Sequence, residues 1–468
     1  MPPKHFEQDK YRNVEGILKV VREGLCHRCG ACIGFCPVGT FGVDRDGYPC
    51  KVADCIQCNI CVQACSGLAV DYDAIGCGLF GPDYRFGALM GSVRGACIAN
   101  ATDREVRTAG ASGGVVTQIL IHLLETGRIK GALVTVGNPD EPSQGKGIIA
   151  RTQDDLLRSA QSRYTTAPSL AALLDIRNED GPFALVGLPC QVHAVRRRQL
   201  ADPRWRKRVP YLIGLLCHYN IPFTATREAA AMLAPAGARL VRAFSRQRDA
   251  TGWPNNTLEL WYSDGSKWRS PVGPAQIFNI LSRVSKLGRC LTCMDATAEF
   301  SDISIGDPWI RNDRGGWKYE HPDGYSSVIV RTEQGEALLR EAQHAGKIEL
   351  RPIPPAEIEA GQHAMITEKK RRVAFRIKVR RLLGRPIPSY SVPLAKPSWS
   401  DIRKEIAFST TRLLPVFGPV RRFFLRFALS PAGLWLVRRR IEQRRRRAAA
   451  GKARLVDSDF GDRLEKDA

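Results

Sequence analysis

Apolar residues recur at helical spacing in the stretch GGVVTQILIHLLETGRIKGALVTV, residues 113–136. This spacing predicts an amphipathic helix that ends at Gly127, followed by a buried strand over 132–136. Two further runs, FALVG and YLIGLL, are continuously apolar, which favours buried parallel strands over half-exposed ones. The middle of the chain is therefore expected to be α/β. The predicted inward-facing helix residues are Val115, Val116, Ile119, Leu120, Leu123 and Leu124.

The pattern changes to β after about residue 240. The stretch TLELWYSDGSKWR predicts a hairpin that turns at Asp264 and Gly265. The segments DISIGD and SSVIVRT predict further strands. The second half is therefore expected to be α+β, and the whole chain a multidomain protein that combines α/β and α+β parts.

The amino-acid composition and the spacing of apolar residues change along the chain and predict four regions. Residues 20–80 are rich in cysteine, glycine and short loops, which indicates a small domain organised around a bound inorganic centre. An α/β domain is expected over 95–205 and an α+β domain over 206–365. A basic tail, partly helical or disordered, is expected over 366–468.

Charge is concentrated in that tail. Residues 369–468 contain 27 Lys and Arg against 8 Asp and Glu, which is +19 of the chain's net +23. The high overall charge is therefore no evidence that the main body binds nucleic acid. The polar N-terminus and the lack of a long apolar run favour a cytoplasmic protein.

Fifteen cysteines in a reducing compartment point to metal ligands or redox groups rather than disulfides. Eight of them form two runs with the same spacing, CHRCGACIGFCP and CIQCNICVQAC. Zinc sites usually pair two separated CxxC knuckles, whereas three cysteines in one CxxCxxC loop are typical of a cubane cluster. Iron–sulfur clusters are therefore favoured over zinc or disulfides. Cys50, Cys77 and Cys97 lie outside the pattern and are expected to be packing residues.

The doubled run resembles the bacterial two-cluster ferredoxin, in which the fourth cysteine of each run binds the other cluster. The resemblance implies two 4Fe-4S clusters. Ser66 stands where the second run of a ferredoxin usually has proline, but that position is not a ligand. The implied ligand sets are Cys26, Cys29, Cys32 and Cys65 for one cluster, and Cys55, Cys58, Cys61 and Cys36 for the other.

Five later motifs occur in a recognisable order, and with the ferredoxin module they resemble the family of beta subunits of coenzyme F420 hydrogenases and dehydrogenases. That family also contains plant 7-hydroxymethyl chlorophyll reductase. The resemblance covers roughly residues 20–330 and implies an iron–sulfur flavoprotein that uses FAD. The motifs are TAGASGGVVTQ, SRYTT, GLPCQVHAVR, LLCHYN and CLTCMDATAEFSDISIGDPW.

The resemblance also implies site residues. Glycines at a helix start suit an anion such as a cofactor phosphate, but taken alone they are explained more simply by helix capping. Arg163 could hold that phosphate or form a surface ion pair. His218 could donate a proton or be structural. The implied FAD-binding residues are Thr108, Ser112, Gly113, Gly114, Thr117, Arg163, Tyr164, Gly187, Pro189 and Gln191; the catalytic candidates are Cys190 and His218; Asp295, Asp302, Asp307 and Trp309 match further motif positions.

Four cysteines outside the ferredoxin module form another candidate site. Cys290 and Cys293 make a CxxC pair, and Cys190 and Cys217 each follow an apolar strand. The four thiolates could converge on a further cluster near the flavin. The alternative is packing together with one or two redox-sensitive thiols.

The expected function is electron transfer between a two-electron donor, such as reduced coenzyme F420, and the clusters through FAD. One alternative is a non-catalytic electron-transfer or scaffold subunit of a larger complex. Another is a ferredoxin-dependent reductase of an organic substrate. The expected partners are a redox protein, reduced deazaflavin or ferredoxin, and DNA binding by the tail ranks last.

Aromatic residues interleave with arginines in the tail. This composition suits peripheral contact with an anionic membrane surface or an acidic partner, and a solvated tail is the alternative. The residues concerned are Phe417, Phe423, Phe424, Phe427, Leu434 and Trp435, with Arg421, Arg422, Arg426 and 438–440.

Overall fold

The computed structural model describes residues 10–313, 316–410, 418–449, 454–456 and 463–465. Its first part is a small module in which short helices and a two-stranded antiparallel hairpin surround the two cysteine runs. The helices are α1 (Asn13–Arg22), α2 (Ala31–Gly34), α3 (Ile60–Ala64) and α4 (Tyr72–Phe80), and the strands are β1 (Phe41–Val43), β2 (Pro49–Lys51) and β3 (Ala69–Val70).

The next part supplies five strands of a large sheet and the helices that cover it. The helix and the strand predicted around Gly127 are confirmed as α6 and β5, because the apolar spacing changes where the glycine ends the helix. In chain order the elements are β4 (Gly95–Ala101), α5 (Arg104–Ala109), α6 (Val115–Glu125), β5 (Gly131–Gly137), β6 (Gly145–Ala150), α7 (Gln153–Ser159), a 3-10 helix (Ser169–Leu174), β7 (Phe183–Gly187), α8 (Pro189–Ala201), α9 (Arg204–Arg208) and β8 (Tyr211–Leu215).

A smaller unit is inserted after β8 and has its own three-stranded antiparallel sheet, in the order β11-β10-β9. The predicted hairpin is confirmed: Gly265 has φ +82°, the left-handed conformation that the tight turn requires. Two helices pack on this sheet. The elements are α10 (Phe223–Leu233), β9 (Leu240–Arg248), β10 (Asn256–Tyr262), β11 (Lys267–Arg269) and α11 (Pro274–Arg283).

The chain then returns to the large sheet, which has eight strands in the order β14-β4-β13-β12-β8-β7-β5-β6. The four strands β12, β8, β7 and β5 are parallel, as expected for the two continuous apolar runs, and the outer strands are antiparallel. Strands from both sides of the boundary predicted at 205 share this sheet, because an apolar run does not specify which sheet it joins. The added elements are β12 (Ile303–Gly306), β13 (Ser326–Val330), α12 (Glu333–His344) and β14 (Ile348–Pro352).

The C-terminal part is mainly helical. Its short strand β15 pairs in parallel with β3, so the chain returns to the cysteine module. Phe417 lies outside the described residues. The elements are α13 (Pro355–Gly361), α14 (His363–Thr367), a π-helical turn (Glu368–Arg372), α15 (Val373–Leu382), β15 (Ser389–Tyr390), α16 (Trp399–Thr410), α17 (Gly418–Leu429), α18 (Pro431–Ala449), β16 (Arg454–Val456) and β17 (Arg463–Glu465).

The first part of the predicted tail is not a solvated segment. Val373 and Ile377 of α15 lie in the same hydrophobic core as Tyr72 of the cysteine module. Three of the basic residues around them, Lys370, Arg372 and Arg376, are buried together with carboxylate partners, which a reading of local charge does not detect. The partners are Glu299, Glu368 and Glu405, and the buried Lys369 instead donates to the carbonyl of Cys290 at 3.1 Å.

Candidate functional site

The two cysteine runs share one backbone conformation. The backbone N–H of Arg28 donates to Cys26 Sγ at 3.3 Å, and that of Gln57 donates to Cys55 Sγ at the same distance. Such bonds favour the thiolate, which is the form that binds metal. Residues with positive φ curl each loop around its sulfurs at matching positions: Arg28 and Gly30 in the first run, Gln57 and Asn59 in the second.

Cys26, Cys29, Cys32 and Cys65 form the inner group of the module. Burial, with a smaller contribution from the nearby Cys65, raises the pKa of Cys29 to about 12. The pKa of Cys32 is also well above its usual value, because of burial first and then because of the other three thiols. The structure therefore gathers the set that includes the crossed ligand of the other run.

Cys36, Cys55, Cys58 and Cys61 form the outer group, and together they line one small cavity. Cys36 Sγ accepts the N–H of Thr40 at 3.2 Å. Cys58 is exposed, so this group lies near the surface. Among the described residues no three side chains of His, Cys, Asp or Glu are grouped to hold a single metal ion. A cubane places iron and sulfide between its cysteines, so its ligands stand farther apart than the ligands of one ion.

The later cysteines form a third group behind the inner group. Burial raises the pKa of Cys190 well above its usual value, and Cys29, Cys290, Cys217 and Cys293 raise it further. Cys190 thus lies close to the three other late cysteines and to one cysteine of the inner group. The hydroxyl of Ser66 also donates to the carbonyl of Cys190 at 2.7 Å, which ties the module to the start of α8.

The remaining cysteines behave differently from one another. Cys97 is buried in β4, as a packing residue would be, and Cys50 is half-buried in β2. Cys77 is exposed on α4, so the packing role expected for it is wrong.

A cavity of 860 Å³ lies between the large sheet and the inserted unit. Its walls come from the loop before α6, the ends of β5, β7, β8 and β12, and the inserted sheet. The strand ends meet here because parallel strands present their carboxyl ends at one edge, where loops can form a site. Cofactor and ligand sites typically enclose about 300–1,000 Å³, so this cavity has room for a large cofactor.

Most of the FAD-binding and catalytic candidates line this cavity, and four do not. Thr108 faces away and donates to the carbonyl of Arg104 at 2.8 Å. Gly113 packs against the backbone, where a Cβ would lie 2.6 Å from the carbonyl oxygen of Ala99. Pro189 and Cys190 begin α8 outside the cavity lining. The lining residues are Ser112, Gly114, Thr117, Arg163, Tyr164, Gly187, Gln191, Cys217 and His218.

Arg163 binds backbone carbonyls in the cavity wall. It donates to the carbonyls of Thr135 at 3.0 Å and of Ser159 at 3.2 Å. Burial lowers its pKa to about 10. The guanidinium therefore holds the segment before Tyr164 in place, and its role as a surface ion pair is excluded.

A buried ion pair between an arginine and a carboxylate was not predicted from the sequence. Arg246 donates to both carboxylate oxygens of Asp307, at 2.6 and 3.0 Å. The indole of Trp253 also donates to Asp307 at 3.1 Å, and its ring stacks on Trp309 with 5.2 Å between centroids. Trp317 lies 5.0 Å from Trp309. Asp307 and Trp309 matched family motif positions, but their partners come from distant parts of the chain.

His218 lies at the cavity wall next to Cys217 and is buried. Its Nε2 is 3.3 Å from a carboxylate oxygen of Glu368, which also binds Arg372 at 3.0 Å. Burial disfavours the charged carboxylate, but His218 and the arginines hold the pKa of Glu368 well below its usual value. The predicted tail thus supplies the partner of a cavity residue.

Two buried oxygen atoms in the cavity wall have no hydrogen-bond partner within the described part of the chain: Gln161 Oε1 and Asn256 Oδ1. Buried polar atoms are nearly always paired with protein, water or ligand, so these two acceptors are available to a donor in the cavity. Neither residue belongs to a motif that sequence reasoning singled out.

Comparison with known families gives two adjacent matches. A family model described as "Coenzyme F420 hydrogenase/dehydrogenase, beta subunit N-term" matches residues 96–174. A second model, which describes the C-terminal part of the same beta subunits, matches residues 181–356. Together they cover the large sheet and the inserted unit, and they exclude the cysteine module and the C-terminal helices.

Curated relatives carry related names. "Coenzyme F420 hydrogenase subunit beta" of Methanothermobacter thermautotrophicus is 26% identical over 307 residues, which are 64% of this chain and 99% of the relative. A subunit of the F(420)H(2) dehydrogenase of Methanosarcina mazei is 25% identical over 76% of this chain and 90% of its own length. "Coenzyme F420-dependent sulfite reductase" of Methanocaldococcus jannaschii is 27% identical over 68% of this chain, but the match spans only 46% of that protein.

One solved structure is also similar. A chain from the F420-reducing NiFe hydrogenase complex of Methanosarcina barkeri aligns with a TM-score of 0.49 at 24% identity, covering 64% of this chain and 96% of that one.

Proposed function

Because this chain belongs to the family of coenzyme F420 hydrogenase and dehydrogenase beta subunits, we propose that it passes electrons between a two-electron partner and 4Fe-4S clusters through FAD. Its named relatives are oxidoreductases, and so is this chain. The observation that carries the proposal is a series of cysteines from the cavity to the module. Cys217 lines the cavity, both Cys217 and Cys29 raise the pKa of Cys190, and both Cys58 of the outer group and Cys65 of the inner group raise the pKa of Cys61.

The cavity residues fit FAD. The open acceptors Gln161 Oε1 and Asn256 Oδ1 suit the N–H and hydroxyl donors of a flavin and its ribityl chain. Gly114, with φ +73°, begins α6 at the cavity wall, and the first N–H groups of a helix have no acceptor within the helix. Those N–H groups and the positive end of the helix suit a pyrophosphate.

The cysteine groups fit three cubane clusters. The two groups of the module match the ligand sets implied by the ferredoxin resemblance, and the third consists of Cys190, Cys217, Cys290 and Cys293. A third cluster at these four cysteines would lie between the cavity and the module and would make the path continuous, which packing cysteines would not require.

The chain's own residues prepare the cavity for redox chemistry. When bound, FAD would accept a hydride and release its electrons one at a time. Trp309 and Trp317 form an apolar aromatic wall that excludes water and offers a surface for ring stacking. The ion pair of Arg246 and Asp307 supports this wall, because Asp307 also accepts a hydrogen bond from Trp253, whose ring stacks on Trp309. The contact with Glu368 fixes the orientation of His218 at the cavity wall.

The proposed two-electron partner is reduced coenzyme F420, because the curated relatives of this chain carry that coenzyme in their names. To test this, the protein is purified without oxygen, and reduced F420 is added while flavin absorption and the cluster electron paramagnetic resonance signals are followed. We expect flavin bleaching first and cluster reduction afterwards. Bleaching by reduced ferredoxin but not by F420 would replace the donor with ferredoxin. A preparation that binds no flavin would refute the proposal and favour a scaffold role.

A cysteine variant tests the path itself. Cys217→Ser is expected to retain flavin bleaching but to slow reduction of the module clusters at least tenfold, because it removes a ligand at the cavity. Cys77→Ser is the matched control, since Cys77 is exposed and belongs to none of the three groups. Equal cluster reduction rates in the two variants would contradict a path through the third group.

A further inference from the structure

Helices α17 and α18 form a hairpin that is fixed to the inserted unit by one face. Leu425, Leu429 and Leu434 are buried in the core formed with α10 and α11. Arg421 fastens the hairpin by donating to the carbonyl of Val284 at 2.7 Å and to Glu228 at 2.8 Å. The hairpin is therefore a positioned part of the fold, and the orientation of its outer face is defined.

The outer face exposes large apolar side chains. Phe423 is 75% exposed, Trp435 is 53% exposed, and Val420, Phe427 and Leu436 are each close to half exposed. Val420, Phe423 and Phe427 follow one another at helical spacing, so they form a stripe along α17. Exposed apolar residues scattered singly are normal, but a patch of five on two adjacent helices indicates a binding surface.

Arginines lie among these apolar residues, and two of them have acidic partners: Arg421 pairs with Glu228 and Arg438 with Glu442. Residues 406–441 contain seven arginines and no Asp or Glu. The exposed ones on the hairpin include Arg422 and Arg426 on α17 and Arg439 and Arg440 on α18. Arg439 also lies over the ring of Trp435, 5.2 Å from its centroid. The surface therefore requires an occupant that is anionic and also accepts buried aromatic rings.

We propose that the outer face of the α17–α18 hairpin is a docking surface for an anionic lipid membrane. A bilayer interface presents negative headgroups beside an apolar region within a few ångströms of depth, which matches arginines interleaved with aromatic side chains. An acidic protein would need an apolar patch matched to Phe423 and Phe427 beside its carboxylates, whereas an anionic bilayer offers both environments along its whole surface. No helix in the described ranges is long and apolar enough to cross a membrane, so the contact is peripheral.

Helix α18 connects this surface to the cavity. Arg438, Ile441 and Glu442 line the cavity, and they lie within two turns of Trp435 on the same helix. A membrane bound to the hairpin would therefore restrict the movement of the helix that forms one wall of the cavity. The docking proposal itself does not depend on which cofactor the cavity binds.

The test is vesicle flotation of the full-length, cofactor-loaded protein. The vesicles are phosphatidylcholine alone or phosphatidylcholine with phosphatidylglycerol. We expect flotation only with the anionic vesicles, and we expect it to weaken as salt is raised. No flotation with anionic vesicles, or equal flotation with neutral ones, would overturn the proposal. Retention on immobilised polyglutamate without flotation would also overturn it and would assign the surface to an acidic protein.

Two variants separate the electrostatic contribution to membrane binding from the apolar contribution. Arg422→Gln with Arg426→Gln and Arg439→Gln removes three charges, each worth roughly a fivefold factor near an anionic leaflet, so binding should fall on the order of a hundredfold. Phe423→Ser with Phe427→Ser should weaken binding at least about tenfold through lost apolar burial. All five positions are exposed, and the buried leucines of the hairpin remain. Flotation of either variant at the parent level would refute the proposal.

Matched controls remove charge or apolar surface elsewhere. Arg206→Gln with Lys207→Gln removes two exposed charges on α9, and Leu382→Ser with Leu383→Ser removes two exposed leucines at the end of α15. Both controls should float like the parent. A second measurement uses brominated anionic lipids, which should quench a fluorescence component of the parent that is absent from Trp435→Phe. Identical quenching of the two proteins would contradict insertion of Trp435.

Discussion

Arg376 provides a strong test of whether the segment after residue 366 is part of the core. Its guanidinium donates to both carboxylate oxygens of Glu405 at 2.7 Å, and to the carbonyl of Leu291 at 2.6 Å. Both members of the ion pair are buried. Leu291 lies between the two cysteines of the CxxC pair, so the same side chain fastens α15 to the third cysteine group.

The perturbation is Arg376→Met, which leaves the Glu405 carboxylate buried with less compensation. Removing one partner of a buried ion pair costs about 3–5 kcal/mol, because the remaining charge is desolvated. Arg372 stays 3.4 Å from Glu405 and offsets part of this loss. We therefore expect the lower end of the range, about 3 kcal/mol. At 1.36 kcal/mol per factor of ten, this corresponds to roughly a hundredfold increase in the population of the opened segment.

The assay is hydrogen–deuterium exchange of peptides from 363–382. Exchange through local opening reports the stability of this segment directly, without requiring the whole protein to unfold in one step. We expect roughly hundredfold faster exchange in Arg376→Met. Arg371→Ala is the control, because Arg371 lies one turn away and is exposed. The double variant Arg376→Met with Glu405→Met should recover most of the protection, since it removes the uncompensated Glu405 carboxylate while Arg372 keeps its bond to Glu368.

Two results would refute this reasoning. If Arg376→Met exchanges no faster than Arg371→Ala, the ion pair does not stabilise the segment, and the basic run behaves as the solvated tail that its composition predicts. If the double variant is as labile as the single one, the loss arises from packing or from the Leu291 contact rather than from an uncompensated charge.

Three other variants test separate parts of the structure. Gly34→Ala should destabilise the cysteine module by about 3 kcal/mol or more in urea unfolding, because its Cβ would lie 1.9 Å from a backbone carbonyl oxygen. Gly95→Ala is the control, because its Cβ would meet nothing within 4 Å. Equal urea midpoints for the two variants would contradict the packing around Gly34. Asp307→Asn should lower the flavin-to-protein ratio at least tenfold, because the buried Arg246 loses its carboxylate partner. An unchanged ratio would show that Asp307 does not support the cavity wall. Cys32→Ser should contain four fewer iron atoms per protein than the parent, the content of one 4Fe-4S cluster, whereas Cys50→Ser should keep the parent's iron content. Equal iron contents in the two variants would contradict the assignment of Cys32 as a cluster ligand.

Local features of this fold could be predicted from short stretches of sequence. The change of apolar spacing at Gly127 marks the end of α6 and the start of β5, because both periodicities are set by backbone geometry. The hairpin at Gly265 follows from the conformational freedom of glycine. The repeated cysteine spacing likewise corresponds to a repeated backbone conformation, since neighbouring residues determine how a loop curls around its sulfurs.

The charge pattern was misleading where partners are distant in sequence. The run EKKRR at 368–372 has the composition of a solvated helix face. In the structure Lys370 lies 2.5 Å from Glu299, and Arg372 contacts both Glu368 and Glu405. Glu368 belongs to the run itself, but Glu299 is 71 positions from Lys370 and Glu405 is 33 positions from Arg372, so a local window contains only part of the compensation that allows the charges to be buried.

The sequence by itself determined the two cysteine runs, the secondary structure around the cavity and the family to which the chain is similar, because each depends on residues close together along the chain. Only the tertiary structure decided that four late cysteines lie beside the inner group. It also decided that Arg246 supports Asp307 and that part of a basic tail belongs to the core. These outcomes depend on which surfaces pack together, and the burial of a charge is favourable only where packing brings its partner within reach.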